Sequence, residues 1–250
     1  MRLTWIGHAT VLIEAGGARL VTDPLLRGRV AHLRRETAPA ADLAHPDAVL
    51  LSHQHHDHLD VPSLRRLDAP VLGPPGTART LRRLGRAVDE LRPGDERAIA
   101  GVVVRAVPAV HDGRRSPTSR RRTDDAIGFV VDDGERRAYF AGDTERFDGM
   151  RYLGPVDAAL VPIWGWGPRV GAGHMDPSQA AEAVALLAPA IAIPIHWGTY
   201  LRLGLKRRHG HLLTEPADAF RERCAVTAPG VRVVQLAPGE LLDLSAASIG

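Results

Sequence analysis

Four short apolar runs in this chain share one feature. Each of them ends on a histidine or an aspartate. Short runs rich in Val, Ile and Leu that are bounded by turn residues are typical of β-strands. If the polar residues act together, the fold has to bring four strand ends to one place. The runs are DAVLLSH, VRAVPAVH, RRAYFAGD and AIAIPIH, and their last residues are His53, His111, Asp143 and His196.

The first run opens into the histidine-rich stretch LSHQHHDHLD, which has the spacing HxHxDH from His53 to His58. An extended backbone presents alternate residues on one side, so His53 and His55 can converge on one cation. The chain then turns toward a predicted helix, which directs Asp57 and His58 to a second position. Imidazole and carboxylate groups suit zinc and its neighbours. The pattern therefore predicts ligands for two metal ions within one loop.

Strands and helices alternate with turn signals along the rest of the chain. A hairpin is predicted at EAGGARL, and a second tight turn at the DDGE that begins with Asp132. Asp176, Pro177 and Gln179 are typical of a helix start with a capping box. Two packed sheets flanked by helices are expected from this pattern. Further strands are predicted in LTWI, TVLIE, ARLVTD, AIGFVVD and VRVVQL, and helices in VPSLRRL, GTARTLRRLG, DPSQAAEAVALLAP and EPADAFRERCAV.

Composition narrows the class of protein. The 250 residues, with 44% hydrophobic content, are expected to form one domain over residues 1–250. The single cysteine, Cys224, excludes an intramolecular disulfide and a thiolate-rich zinc site.

Arginine clusters from Arg114 to Arg122 and in the segment 206–210 are interpreted as solvated faces, since the net charge is only +3. The N-terminus has no apolar targeting segment and no run long enough to span a membrane, so a cytoplasmic location is expected.

Taken together, these motifs resemble those of the metallo-β-lactamase superfamily of metal-dependent hydrolases, over nearly the whole chain. The resemblance implies an α/β fold, a four-layer αββα sandwich. It also implies two divalent metal ions, with Zn²⁺ expected first and Mn²⁺ or Fe²⁺ as alternatives. One ion would be held by His53, His55 and His111, and the other by Asp57, His58 and His196. Asp143 would bridge the two.

Finer motifs resemble one branch of that superfamily, which contains ascorbate-6-phosphate lactonases and N-acylphosphatidylethanolamine-type phospholipase D enzymes. These motifs are WIGHATVLIE, TDPLL, HMDP and IPIHWGTY. The chain departs from the phospholipase pattern after His111, where AIGF replaces a segment with tryptophan, and in the glycine-rich PIWGWGPRVGAGHMDP. The branch implies a small-molecule or lipid-like ester as substrate, either a phosphodiester or a lactone.

The implied reaction is hydrolysis by a hydroxide that bridges two metal ions. Asp57 would orient this nucleophile, and His174 would donate a proton to the leaving group. His8 is a candidate for substrate binding. Trp164 and Trp166 are candidates for the wall of an apolar pocket. Asp60 is expected to accept an N–H from a ligand imidazole, with a helix cap as the alternative.

Three other functions remain open. One is an iron-dependent oxidoreductase with persulfide or oxygen chemistry, but the resembling di-iron proteins usually have glutamate where His55 stands. Another is a metal-dependent nuclease that uses the arginine clusters as its groove, although no separate nucleic-acid domain is visible and nucleic acid is not the expected partner. A non-catalytic metal-binding protein is least favoured, because all seven ligand positions are present. The oligomeric state has no signal in the sequence.

Overall fold

The protein is described here by a computed structural model, which covers residues 1–38, 43, 45–115 and 125–246. Most of the arginine cluster predicted at Arg114 to Arg122 lies outside the described residues. The strands are β1 (Arg2–Gly7), β2 (Thr10–Ala15), β3 (Ala18–Thr22), β4 (Arg29–Val30), β5 (Leu33–Arg35), β6 (Ala48–Leu50), β7 (Val71–Gly73), β8 (Val88–Glu90), β9 (Glu96–Ile99), β10 (Val102–Asp112), β11 (Asp125–Asp132), β12 (Arg137–Phe140), β13 (Ala158–Pro162), β14 (Ile191–Ile195), β15 (Tyr200–Arg202), β16 (Arg232–Val233) and β17 (Leu241–Asp243).

Helices occupy a smaller part of the described chain. None of the helices among the described residues is long and apolar enough to cross a bilayer. The α-helices are α1 (Val61–Leu64), α2 (Thr77–Leu81), α3 (Pro177–Leu187), α4 (Lys206–His209) and α5 (Glu215–Thr227), and the 3-10 helices are Arg82–Leu84, Asp148–Tyr152 and Gly210–Leu213.

Two seven-stranded sheets form the centre of the fold, in the orders β17-β1-β2-β3-β6-β7-β8 and β16-β14-β13-β12-β11-β10-β9. Trp5 and Ile13 of the first sheet pack in one buried cluster with Phe129 and Phe140 of the second. This arrangement puts the main core between the sheets. A third sheet contains β15, β5 and β4 in that order.

Helices cover the outer faces of both large sheets. Leu64 and Leu81, from α1 and α2, pack against side chains of the first sheet such as Val49. Val184 of α3 and Phe220 of α5 are buried with the second sheet. The predicted four-layer αββα sandwich is therefore confirmed.

Helix α3 begins as its sequence predicts. The Asp176 side chain accepts a hydrogen bond of 2.9 Å from the backbone N–H of Gln179, and the Gln179 side chain accepts one of 3.1 Å from the N–H of Asp176. Pro177 occupies the first turn, where its missing N–H costs nothing. Two backbone donors that the helix leaves free are thus satisfied.

Strand β13 is absent from the sequence predictions, although it is central in the second sheet. It pairs in parallel with β12 on one side and with β14 on the other. Its sequence, AALVP, contains two alanines and ends in a proline, and both residue types are depleted in strands. Burial of all five residues between neighbouring strands outweighs that weak local preference.

Candidate metal centre

Strand ends from both large sheets meet at the predicted site. His53 lies just beyond β6 of the first sheet, whereas Asp143 and His196 lie just beyond β12 and β14 of the second. Gly142, with a φ of +61°, allows this approach, because a Cβ atom there would lie 2.5 Å from Cβ of Ser52. Atoms of neighbouring side chains do not pack that closely, so the contact requires glycine.

One group of ligand atoms comes from three histidines, His53, His55 and His111. One ring nitrogen from each of the three lies within 4.8 Å of those of the other two. Nδ1 of His55 is 3.1 Å from Nε2 of His111. The structure thus brings together the trio that the resemblance assigns to one metal ion.

A second group contains Asp57, His58 and His196. Nε2 of His58 lies 3.1 Å from Nε2 of His196. Oδ2 of Asp57 lies 3.8 Å from the first of these nitrogens and 3.7 Å from the second. His8 joins this group, with its ligand atom also within 4.8 Å of the others. The second predicted trio is therefore also assembled.

Asp143 lies between the two groups. Its Oδ2 is 3.0 Å from Nε2 of His58 and 3.8 Å from Nε2 of His53. Its Oδ1 is 3.3 Å from Nε2 of His196. One carboxylate thus reaches donor atoms of both groups, as a bridging ligand would.

The donor set fits divalent cations. Two nitrogens bound tetrahedrally to zinc at about 2.05 Å are about 3.3 Å apart, close to the two imidazole separations of 3.1 Å. Nε2 of His53 and Oδ1 of Asp143 are buried and have no hydrogen-bond partner. Such atoms are costly in a folded protein unless something binds them, and a cation would satisfy both.

Hydrogen bonds from Nδ1 of His111 and His196 determine where the Nε2 lone pairs of these two rings point. Nδ1 of His111 lies 2.7 Å from the carbonyl oxygen of Gly173, and Nδ1 of His196 lies 3.2 Å from that of Trp164. A carbonyl only accepts, so each Nδ1 carries the proton and each Nε2 presents a lone pair to the site. Gly173 has a φ of +81°, and a Cβ atom there would lie 2.5 Å from Nδ1 of His111.

Asp23 supports the site, and the sequence analysis did not assign it. Nδ1 of His58 donates to Oδ2 of Asp23 at 2.7 Å. The Ser52 hydroxyl donates to the same oxygen at 2.5 Å and lies 3.0 Å from Nδ1 of His53. Asp23 follows strand β3, so the rule of a polar residue after an apolar run could have found it.

The expectation for Asp60 is wrong, because its carboxylate binds no imidazole among the described residues. It accepts hydrogen bonds from the backbone N–H and the hydroxyl of Ser63, at 3.0 and 2.6 Å, and so caps helix α1. It also pairs with the Arg27 guanidinium, with Nε at 2.9 Å and Nη2 at 2.5 Å. Its role is to hold the end of the histidine-rich loop against α1.

His174 lies at the rim of the centre. Its Nε2 is 3.1 Å from Oδ2 of Asp143, its Nδ1 is 3.1 Å from the carbonyl of Ala172, and its side chain is 23% exposed. Burial lowers its pKa, but the charge of Asp143 outweighs this and raises the pKa to about 9. His174 also falls within 4.8 Å of the donor atoms of His111 and Asp143, so it is placed either to hold a cation or to carry a proton.

His8 and Trp166 hold Asp57 from two sides. Nε2 of His8 is 3.1 Å from Oδ2 of Asp57, and Nε1–H of Trp166 donates to the same oxygen at 3.0 Å. Burial and the neighbouring His196 lower the pKa of His8 to about 3, so its imidazole is neutral at physiological pH. At 1% exposure, His8 lies beneath Asp57 rather than at the surface of the site.

The carboxylates of the centre are ionised. Burial alone would raise the pKa of Asp143, but His196, His58 and His174 hold it well below its usual range. Burial likewise opposes ionisation of Asp57, whose pKa is nevertheless held well below normal by His58 and its other histidine neighbours. Both side chains can therefore bind a cation without first losing a proton.

A cavity of about 280 Å³ opens beside the centre. It is lined in part by Trp164, Trp166, Val170, His174 and Arg169. Trp164 donates from its indole N–H to the carbonyl of Gly167 at 3.1 Å, which keeps the glycine-rich segment folded over this space. Both tryptophans thus line a cavity beside the centre, while their contact with substrate stays a prediction.

Comparison with known proteins places the chain in a family. A model of the beta-lactamase superfamily domain matches residues 18–197. The chain belongs to this superfamily. It is 31% identical to the UPF0173 metal-dependent hydrolase of Methanopyrus kandleri, over 96% of this chain and 98% of the relative. The predicted family and the predicted class of enzyme, a metal-dependent hydrolase, are therefore confirmed.

Two further similarities come from a lipid enzyme and a solved structure. The chain is 31% identical to N-acyl-phosphatidylethanolamine-hydrolyzing phospholipase D 1 of Caenorhabditis elegans, over 88% of this chain and 68% of the relative. Igni18, a metallo hydrolase of Ignicoccus hospitalis, has a TM-score of 0.69 at 21% identity, over 96% of this chain and 97% of that one. This last similarity shows the shared fold.

Proposed function

We propose that this protein is a two-metal hydrolase that cleaves a phosphodiester or related ester of a small or lipid-like substrate, with a lactone as the alternative. The observation that carries the proposal is the arrangement around Asp143. Its two carboxylate oxygens face donor atoms of two separate groups, His53 on one side and the pair His58 and His196 on the other. A shared carboxylate between two such groups suits two cations better than one.

The substrate class is supported by the neighbourhood of the centre. The C. elegans relative is a phospholipase D, an enzyme class that cleaves a phosphodiester bond. In this chain the cavity beside the centre is walled by two indole rings and Val170. Such a wall suits an apolar group attached to the ester. The exposed Arg169 at its edge could bind an anionic oxygen.

Zinc is the proposed metal, with manganese or iron as alternatives, because the donor set consists of imidazoles and carboxylates. When bound, two such ions lower the pKa of a water molecule and polarise the oxygen of the bond that is cleaved. His53, His55 and His111 would hold one ion. Asp57, His58 and His196 would hold the other, and Asp143 both.

The remaining side chains then have distinct tasks. Asp57, held by His8 and Trp166, would orient the attacking oxygen. His174, at the rim of the centre with its Nε2 3.1 Å from Oδ2 of Asp143, would donate a proton to the leaving oxygen. His8 is buried beneath Asp57, so it would act by fixing that carboxylate rather than by contacting the substrate.

The test uses purified protein loaded with zinc or manganese. We expect turnover of bis(p-nitrophenyl) phosphate or of members of a lactone panel, and loss of that turnover in His55→Ala. His56→Ala is the matched control, because His56 is the adjacent histidine and is exposed outside the ligand groups. Wild-type inactivity on both panels, or near-stoichiometric iron together with oxygen consumption, would overturn the proposal.

A further inference from the structure

The small sheet and helix α4 carry a concentration of positive charge. Six exposed cations lie on β4, β5, β15 and α4, and we call this surface the basic collar: Arg29, Arg34, Arg202, Lys206, Arg207 and Arg208. Glu36 is the one acidic residue paired with it among the described residues. Its carboxylate lies 2.6 Å from Nζ of Lys206 and 3.7 Å from Nε of Arg34, and so ties α4 to the sheet.

The collar adjoins the metal centre. The backbone N–H of Arg202 donates to the carbonyl of Trp166 at 3.2 Å, and the indole N–H of Trp166 donates to Asp57 at 3.0 Å. The His32 ring packs edge-on against Trp166, with 4.8 Å between centroids. The N–H of Leu203 donates to the carbonyl of His32 at 2.8 Å. One indole therefore separates the collar from a proposed metal ligand.

Most of these cations form no ion pair within the described part of the protein. Arg29, Arg202, Arg207 and Arg208 form no ion pair with any carboxylate that the structure describes. Arg29 stands directly opposite Arg34 in the β4–β5 ladder, and like charges in that position destabilise a sheet. The repulsion between these two guanidinium groups is unfavourable, and an external anionic surface would offset it.

An apolar side chain lies within the basic segment. Leu203 is 38% exposed in the turn between β15 and α4, directly after Arg202 and three residues before Lys206. Clusters of four to eight cations with exposed leucine are typical of segments that lie on anionic membranes. Surfaces for single-stranded nucleic acid instead combine cations with exposed aromatic rings that stack on bases. Here Tyr200 of β15 is buried, and the Trp166 ring is held between Asp57 and His32.

We propose that the basic collar binds the surface of a lipid bilayer that contains anionic lipids. The cations would contact the head groups, and Leu203 would enter the interface. Bound in this way, the protein has its metal centre and the adjoining cavity next to the membrane surface. The delivery of a lipid-like substrate from that surface rests on the proposed function, whereas the binding itself does not.

The experiment is co-sedimentation of the metal-loaded full chain with vesicles. One set of vesicles contains phosphatidylcholine alone, and the other contains equal parts of phosphatidylcholine and phosphatidylglycerol. We expect binding only to the second set, weakened by added salt. Arg207→Glu combined with Arg208→Glu should weaken binding at least about tenfold, since each cation near an anionic surface contributes to affinity.

A matched control distinguishes an effect of the basic collar from an effect of the protein's net charge. Arg82 and Arg83 are also adjacent and exposed, in the 3-10 helix that follows α2, and their reversal to glutamate should leave vesicle binding unchanged. Leu203→Ser should weaken binding to vesicles. Equal loss in the Arg82 and Arg83 variant, no binding to either vesicle, or tighter binding to single-stranded RNA than to vesicles would overturn the inference.

Turnover of soluble bis(p-nitrophenyl) phosphate tests the proposed hydrolase function independently of membrane binding by the basic collar. A wild-type protein that binds the anionic vesicles but hydrolyses neither that diester nor the lactones supports the collar and overturns the proposed function. A protein that hydrolyses the soluble diester and ignores the vesicles overturns the collar alone.

Discussion

His58 donates a hydrogen bond of 2.7 Å from its Nδ1 to Oδ2 of Asp23. The Ser52 hydroxyl donates to the same carboxylate oxygen and lies within hydrogen-bond distance of His53. One buried carboxylate thus orients an imidazole from each ligand group, directly for His58 and through a hydroxyl for His53. A partner of this kind fixes the tautomer and raises the basicity of a metal-binding histidine.

Replacing Asp23 should weaken metal binding. We expect Asp23→Asn to lower zinc affinity about 10- to 100-fold, because the amide cannot replace the carboxylate as the acceptor for both groups. Competition with a chromophoric chelator measures this. Asp60→Asn is the control, since Asp60 is also a buried aspartate near the loop but bonds Ser63 and Arg27. A similar loss of affinity in both variants would show that the effect is not specific to Asp23.

His174 is expected to move a proton rather than to hold the metal. His174→Asn should lower kcat about 10²- to 10⁴-fold, because the leaving group loses its proton donor. Metal content, measured by elemental analysis of the same sample, should stay at the wild-type value. A variant that loses metal in proportion to activity would instead identify His174 as a ligand beside His111 and Asp143.

The capping box of helix α3 should contribute measurably to stability. Asp176→Ala removes the acceptor for the Gln179 N–H, and we expect the free energy of unfolding to fall by about 1 kcal/mol. Urea denaturation measures the change. Glu182→Ala in the same helix removes only an exposed carboxylate 3.7 Å from Arg146, so its effect should stay below about 0.5 kcal/mol. Equal effects would argue against the cap.

The single thiol should be unreactive in the folded protein. Cys224 is buried, and burial raises its pKa to about 11. Ellman's reagent at pH 8 should therefore modify it slowly in the native protein and rapidly in denaturant. Because the folded state holds this proton more tightly, its contribution to stability is complete below an ordinary thiol pKa of about 8.5 and is lost as pH rises toward 11. Rapid modification of native protein would contradict this placement.

Local patterns in the sequence predict much of the site. His53, His111, Asp143 and His196 each end an apolar run, and the structure brings all four together. The same rule, applied to ARLVTD, would have added Asp23. Asp60 shows the limit of this reasoning, because a carboxylate after a histidine-rich loop can equally cap the next helix. Its partner Arg27 is distant in sequence, so only the folded chain decides between the two roles.

Other features depend on contacts that no local pattern encodes. Strand β13 has a weak strand preference and is fixed by β12 and β14 on its two sides. The contact between Gly142 and Ser52 joins two different sheets. The hydrogen bond from Trp166 to Asp57 spans more than a hundred residues of chain. Such long-range contacts decide where the glycine-rich segment with Trp164 and Trp166 lies, and hence the shape of the cavity.

Gly173 limits which positions can be varied to alter the substrate preference of this enzyme. A library that randomises the glycine-rich loop would naturally include this position, yet even alanine would press a methyl group against the imidazole of His111. Most variants at this position would displace the His111 imidazole and lose activity, so a change in selectivity could not be measured. Diversity is better confined to Arg169 and Val170, which line the cavity.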